Sequence, residues 1–491
     1  MPKKCPAHPK SAGHRHFNIM MHLKYFIIIL FLLLITSNIF AQNVLWTKIY
    51  NRNVNEYGYA IAADGTNFIV VGVYASDYGE WLCLKYSASG DTTWTRRYTT
   101  GSTYDDEATG VAVDASHNII TVGFSARQDS VFLVLRKLSS AGVPTWTKIL
   151  KRGYQTIGEG VTTDNSGNIY VVGSIYDGID NDLLLIKFNS SGDTVWSRTF
   201  SSTDDDIGTS IALDKSNNII ITGSIGSVGA NDVMTIKYSS AGTLLWTQYY
   251  DSGQDDIGNA VKVDTLNNII VAGACGAANN HNYLLIKYAS NGTQSWLRSF
   301  TSSLNDDAYG CVTDNQNNIF ITGTSGSSTN YDYLTVKYNS SGDTVWSRRY
   351  NRDIDDDAMD ITIDASNNIA VTGFSLNATD YDVVTMKYSS TTGIEQDDNY
   401  NVPSSGFIIK SPTLIRGGLS FDLNVTNQDW YNIGMYDVTG AKIQSIYSGN
   451  LRIGNYKFNN LIANSGICFL MVNPLSSTGN KVICKKLVSI K

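Results

Sequence analysis

The sequence predicts an all-β fold made of one unit copied seven times, and two observations carry that prediction. Tryptophans at 46, 94, 146, 196, 246, 296 and 346 each open a Trp-(Thr/Ser/Leu)-x segment, and aspartates at 64, 114, 164, 214, 264, 314 and 364 stand fifty residues apart. Each copy also reads as four short β-branched runs bounded by Gly, Asn, Ser and Asp, with almost no proline and no amphipathic helix. A unit of this size cannot bury its apolar faces alone and must stack on its neighbours. Four strands in fifty residues is the size of a propeller blade, so the expected architecture is a seven-bladed β-propeller over residues 43–389.

The fourth copy shows the expected elements in order: Ile211 to Asp214, Ile219 to Gly223, Val233 to Tyr238 and Leu245 to Tyr250. The innermost strand should be the one ending at the periodic Asp, where the ring is narrowest. Small residues stand four before that Asp (Ala60, Gly110, Gly160, Ser210, Ala260, Gly310) in six copies, and Asp360 takes the place in the seventh. Large ones stand three before it, such as Ile61, Val111 and Ile211, as packed blades require. Glycines such as Gly72 and Gly223 end the second strand and lysines such as Lys85 and Lys237 end the third, both as framework. The fourth strand carries Lys48, Arg96, Lys148, Arg198, Gln248, Arg298 or Arg348 two residues after its Trp, which suits an outer edge guarded by charge.

The ends of the array point to closure. An extra Trp strand, Val44 to Tyr50, precedes the first copy, and the strand expected after Lys387-Tyr388 is missing. The N-terminal strand should therefore complete the seventh blade, removing two exposed sheet edges.

The run Val-x-Val-Asp-x-x-x-Asn-Ile-x-Val-x-Gly followed by Asp-x-x-x-x-Lys-Tyr-x-x-x-Gly, seen at Asp264 to Gly273 and Asp332 to Gly342, resembles the bacterial SBBP β-propeller repeats. That resemblance implies an architecture and no single activity.

The first 41 residues read as a targeting segment: Lys24, the apolar run Phe26 to Ile35, and a cleavage region ending at Ala41. Met20 or Met21 suits the start of a compact leader, which makes residues 1–19 an extension. The run is too short for an ordinary transmembrane helix. Removing it takes the net charge from −7 to −12, a balance that argues against nucleic-acid binding.

Residues 390–405 are Ser/Thr/Asp/Asn-rich and read as a linker into a small β-sandwich at 406–491. Ile433 through Lys442, Gly454-Asn455-Tyr456, Leu461 through Gly466 and Lys485-Lys486-Leu487-Val488 resemble the C-terminal sorting domain of type IX secretion substrates. The chain departs from that pattern at Lys410-Ser411-Pro412 and Cys468. The resemblance implies a partner, the type IX secretion machinery, and a secreted or cell-surface location reached through the periplasm. Cys468 and Cys484 are expected to face one another across the final hairpin, either as a disulfide or as small buried residues; Cys83, Cys275 and Cys311 read as buried and apolar.

Function should sit on the face where the loops between copies and the loops between second and third strands emerge. Asp106, Asp206, Asp256, Asp306 and Asp356 come from the first set, and Asp182, Asp232, Asp332 and Asp382 from the second. Tyr176, Tyr331 and Tyr381 stand among them. Acids with aromatics suit a sugar, a basic peptide or calcium. The competing reading is structural, since Asp commonly satisfies loop N–H groups. No cofactor is expected beyond calcium, and no catalytic residue is assigned: His117 and His281 stand at non-equivalent places, and no phosphate-binding loop is present. The expectation is a secreted binding or interaction module. An extracellular polysaccharide-degrading enzyme working through carboxylates on the same face is the alternative.

Overall fold

In a computed structural model, the described residues are 44–389, apart from short breaks in the loops, and the strands between 407 and 489. All secondary structure among them is β. The chain divides into two units, one ending at Ile394 and one beginning at Glu395.

In the first unit the first six copies each pair four antiparallel strands in chain order, such as Asp205–Leu213, Ile219–Ser227, Ala230–Tyr238 and Leu244–Tyr250, and the seventh supplies three. The second and third copies also touch through a single parallel bridge between Gln155 and Val131. The second and third strands are buried except where they approach the loop that joins them, whereas the fourth is half exposed, so each sheet has a covered centre and a wet outer edge. The apolar clusters run between copies. Ile211, Ile219, Ile221, Met234 and Ile236 of the fourth copy, for instance, pack with Tyr170, Val172, Leu183 and Leu185 of the third. No copy owns a core, which is why the unit repeats.

The Val44–Tyr50 strand pairs antiparallel with Tyr381–Tyr388, setting Trp46 opposite Lys387. Its Trp46 ring lies 5.8 Å from Phe68 and 6.0 Å from Tyr86, and one cluster joins Tyr50, Ala370 and Val383 to Ile61, Phe68, Val70 and Leu84. First strands of successive copies are neighbours, and Asp355–Ile363 of the last copy packs on Asn55–Asp64 of the first. Asp360, which interrupts the small-residue series, accepts the Ile61 N–H at 2.9 Å across that seam.

The repeated glycine has a steric cause. A Cβ on Gly223 would fall 1.8 Å from the Ile207 carbonyl oxygen, because the first strand bulges between Gly208 and Ser210 and presses on the second. The same bulge recurs in every copy, for example at Gly58/Ala60 and Ala358/Asp360.

The periodic Asp organises the next turn. Asp214 Oδ1 accepts the N–H groups of Ser216 (2.8 Å) and Asn218 (2.9 Å), its Oδ2 takes the Asn218 amide (2.8 Å), and Asn217 sits at φ 57°. A short polar side chain that tolerates the left-handed region is what this turn needs.

The second unit has a three-stranded sheet (Phe407–Ile415, Gly418–Val425, Gly454–Leu461) and a four-stranded one (Lys442–Leu451, Asp429–Tyr436, Gly466–Pro474, Ile483–Ser489). The strand Phe407–Ile415 was not expected, since it contains Pro412; a register shift between Lys410 and Thr413 accommodates it. The expected facing of Cys468 and Cys484 is corrected. The register puts Leu487 opposite Cys468 and Met471 opposite Cys484. That offset of three positions is about 10 Å along the strands, beyond disulfide reach. Cys83, Cys275 and Cys311 are free and buried, and burial pushes the Cys83 thiol up to about 12. The leader and the linker lie outside the described residues; among those described, no helix is long and apolar enough to cross a membrane.

Candidate functional site

The first set of acids lies within strands rather than in loops. Asp106, Asp206, Asp256, Asp306 and Asp356 are each the second residue of a first strand, and all five are fully buried. Each strand begins about six residues earlier than its apolar pattern suggests, because a carboxylate at this place can receive the incoming loop. Asp106 takes the Thr100 N–H at 2.7 Å, Asp206 the Ser202 N–H at 2.5 Å, Asp256 the Ser252 N–H at 2.5 Å and Asp356 the Arg352 N–H at 2.7 Å. Where the acid is replaced the bond survives: Glu56 accepts from Arg52 N at 3.3 Å and Thr156 Oγ1 from Arg152 N at 2.7 Å.

The second set is uneven. Asp332 is held by Arg349 (2.8 Å) and Asn351 (2.6 Å), and the buried Asp382 by Arg352 (2.9 Å) and Asn377 (3.1 Å). Glu80 takes the equivalent place in the first copy and pairs with Arg97 at 3.5 Å. Asp182 and Asp232 have no such arginine: Thr199 and Tyr249 stand where Arg349 would, and Ser202 and Ser252 where Arg352 would. Asp232, Asp251 and Asp256 therefore bring carboxylate oxygens within 4.8 Å of one another. Burial, then the neighbouring charges, raises Asp232 and Asp256 above the ordinary carboxylate range. Hard cations take such oxygen donors, although both Asp256 oxygens are already engaged by Ser252.

A second constellation occupies the half-buried side of the first strands, at the positions one and three residues after the buried acid. Tyr57 and Tyr59 of the first copy lie nearly parallel, with centroids 6.0 Å apart and planes at 15°. Phe374 stands edge-on to Tyr57 at 5.0 Å, and Tyr381 lies 5.2 Å from Tyr57 and 5.4 Å from Phe374. Aromatic pairs prefer such offset and edge arrangements. Acids flank the rings. Burial and then Glu107 push Glu159 up to about 7, and burial together with Asp355 and Asp356 does the same for Asp357.

Further round, His281 Nδ1 lies 2.8 Å from Asp307 Oδ1, Asn305 donates to Asp307 Oδ2 at 2.9 Å and to the Tyr331 hydroxyl at 3.2 Å, and His281 Nε2 is 3.8 Å from Asp255. The Asp307 bond holds the imidazole above its ordinary value. Tyr309 completes this stretch, its hydroxyl raised by burial and by Asp307 and Asp357. At the same positions the fourth and fifth copies carry Ile207, Thr209, Ile257 and Asn259, so the constellation is an arc and not a full circle.

Of the residues singled out from sequence, Tyr331 and Tyr381 belong to this arc. Tyr176 lies elsewhere, 6.5 Å from Tyr154. Tyr57, Tyr59, Phe374, Glu107, Glu159, Asp307 and Asp357 were not singled out. Their signal is a pair of positions, 57 and 59 in the first copy, where an otherwise regular repeat changes character from copy to copy.

The first unit is thus a series of repeated antiparallel sheets whose first strands carry this arc. Residues 146–179 match the family model described as "SBBP: Beta-propeller repeat". No curated protein matches the chain. Among solved structures it is similar to a polysaccharide lyase PL25 ulvan lyase bound to -[GlcA(1-4)Rha3S]-, at 10% identity and a TM-score of 0.44, covering 68% of this chain and 97% of that one. It is similar to polysaccharide lyase Uly1 at 10% identity and a TM-score of 0.44, over 70% and 92% of the two chains. Sqt1 from Chaetomium thermophilum is similar at 10% identity and a TM-score of 0.43, over 78% and 93%.

Proposed function

We propose that the protein is an exported seven-bladed β-propeller, closed by its Val44–Tyr50 strand, that binds a saccharide at the aromatic and acidic arc. One observation carries the reading: Tyr57, Tyr59, Phe374 and Tyr381 form one cluster of packed rings that is still partly exposed. A folded chain ordinarily buries such a cluster, whereas sugar rings present apolar faces that stack on it while carboxylates accept their hydroxyl hydrogen bonds. In this reading the leader takes the chain across the inner membrane, and residues 406–491 hand it to a type IX machinery for release or surface display. The buried acids of the first set serve the fold, so the binding surface is narrower than the acid series suggests.

A second reading, polysaccharide cleavage, is favoured by Asp357 and Glu159, each titrating at about 7 where a carboxyl can serve as a general acid. A glycan array run beside a turnover assay on the same polysaccharides separates the two. Binding without cleavage, abolished by Tyr57→Ala, supports the first; product formation lost in Asp357→Asn supports the second. Export is tested by deleting residues 406–491, and a truncated protein that reaches the medium at the normal level overturns that part.

A further inference from the structure

Building on the reading of the arc as a saccharide site, we infer that its ligand is an amine-bearing saccharide, one whose sugar rings carry free ammonium groups. The argument is one of charge and shape. No lysine or arginine occupies any position of the arc, whereas Glu107, Glu159, Asp307 and Asp357 all do. The one cation among them is His281, and it is spoken for by Asp307 at 2.8 Å and Asp255 at 3.8 Å. Lys262 stands further along the first strand of the fifth copy, where its charge favours the ionised forms of Asp360 and Cys311.

Elsewhere on the same unit three acids are answered by arginines, at Arg349–Asp332, Arg352–Asp382 and Arg97–Glu80. Of the four acids of the arc, among the described residues, only Asp307 has a cation against it, His281. Carboxylates gathered in a half-buried place repel one another, and an incoming cation relieves the repulsion while a uronate or sulfate would add to it. The electron-rich faces of Tyr57 and Tyr59 add a second preference of the same sign, since ammonium groups are attracted to aromatic rings. A sugar fits better than a basic peptide because the acids stand beside a cluster of four rings, Tyr57 stacked on Tyr59 with Phe374 edge-on and Tyr381 tilted against Tyr57, against which the apolar face of a sugar packs.

The test is calorimetric titration of the mature full-length protein near pH 7.5 with β-1,4-linked glucosamine oligomers, their fully N-acetylated counterparts, uronate oligomers and a lysine oligomer. The expected result is glucosamine binding at least about tenfold tighter than that of the acetylated form, equivalent to about 1.4 kcal/mol. Raising the salt should weaken it. Glu107→Gln should lower the glucosamine affinity alone, while Tyr57→Ala should lower both neutral and cationic sugars. Equal or tighter binding of the acetylated or uronate oligomer overturns the inference and leaves a saccharide site standing. Tighter binding of the lysine oligomer overturns the sugar class. Binding of none of the probes sinks the saccharide reading itself, and this inference with it.

Discussion

Lys387 donates to Asp364 across 2.8 Å, with 4% and 0% of the two side chains left in solvent. The same pair closes at Lys85–Asp64 (2.7 Å), Lys137–Asp114 (2.9 Å), Lys237–Asp214 (2.9 Å) and Lys287–Asp264 (3.0 Å). The third and sixth copies differ: Tyr170 donates to Asp164 at 3.1 Å and Lys187 lies 5.0 Å from the Tyr170 ring, while Lys337 lies 4.8 Å from the Phe320 ring. Two periodic residues, read separately as turn and framework, are thus one buried link between the first turn and the third strand.

Removing one partner strands a buried charge. Asp364→Asn should destabilise the first unit by about 3–5 kcal/mol, read by chemical denaturation. The double change Asp364→Asn with Lys387→Met should recover most of that loss. A single variant within about 0.5 kcal/mol of the parent, the range of ordinary surface substitutions, would show that the pair contributes little.

Acid should undo the same links. Burial alone would raise Asp64, Asp114, Asp214 and Asp264, but the hydrogen bonds from lysine, asparagine or histidine outweigh it and hold all four below the ordinary value. A depressed carboxyl contributes stability above its unfolded pKa, near 3.9, and loses it as pH falls through the folded value. Melting temperature should therefore hold near pH 6 and drop steeply below about pH 4. A flat profile down to pH 3 contradicts this.

The buried Asp of the first strand can be replaced by what the third copy already uses. Asp206→Thr should cost less than about 1 kcal/mol, while Asp206→Ala, which leaves the Ser202 N–H unanswered, should cost about 1–3 kcal/mol. Urea melts of the two variants decide it, and equal losses would argue that the carboxylate has another task.

Trp46→Ala removes an indole that packs on Phe68 and Tyr86 and donates to the Ala88 carbonyl at 3.0 Å. Since the ring is partly exposed, the expected loss is about 2 kcal/mol, below the 3–5 of a fully buried Trp. Starting the chain at Asn51 should do more, baring the edge of Tyr381–Tyr388 and promoting aggregation visible by light scattering. A monomeric, equally stable truncation would overturn the proposed closure.

The repeating parts of the structure were legible because packing demands the same residue type every fifty positions: Trp, the turn Asp, and the glycine pressed against a bulged strand. The link between Asp64 and Lys85 was not, since a sequence shows both residues without showing that they meet. The length of the first strands was misjudged for a related reason. Asp206 and its counterparts look like loop residues until their burial beneath the incoming chain is seen. The arc was not legible because the framework does not require these positions to repeat: Tyr57, Glu107, Ile157, Ile207, Ile257, Asp307 and Asp357 share one structural position and no common chemistry. Its signal in the sequence is disagreement between copies on strands where they otherwise agree.

The pairing of Trp46 with Lys387 also sets a schedule. A ribosome delivers the first partner more than three hundred residues before the second, so the earliest strand must wait, unmatched, through the synthesis of every intervening copy. Until Tyr388 emerges, the edge that Val44–Tyr50 pairs with is absent, and every shorter nascent chain carries that strand without its partner.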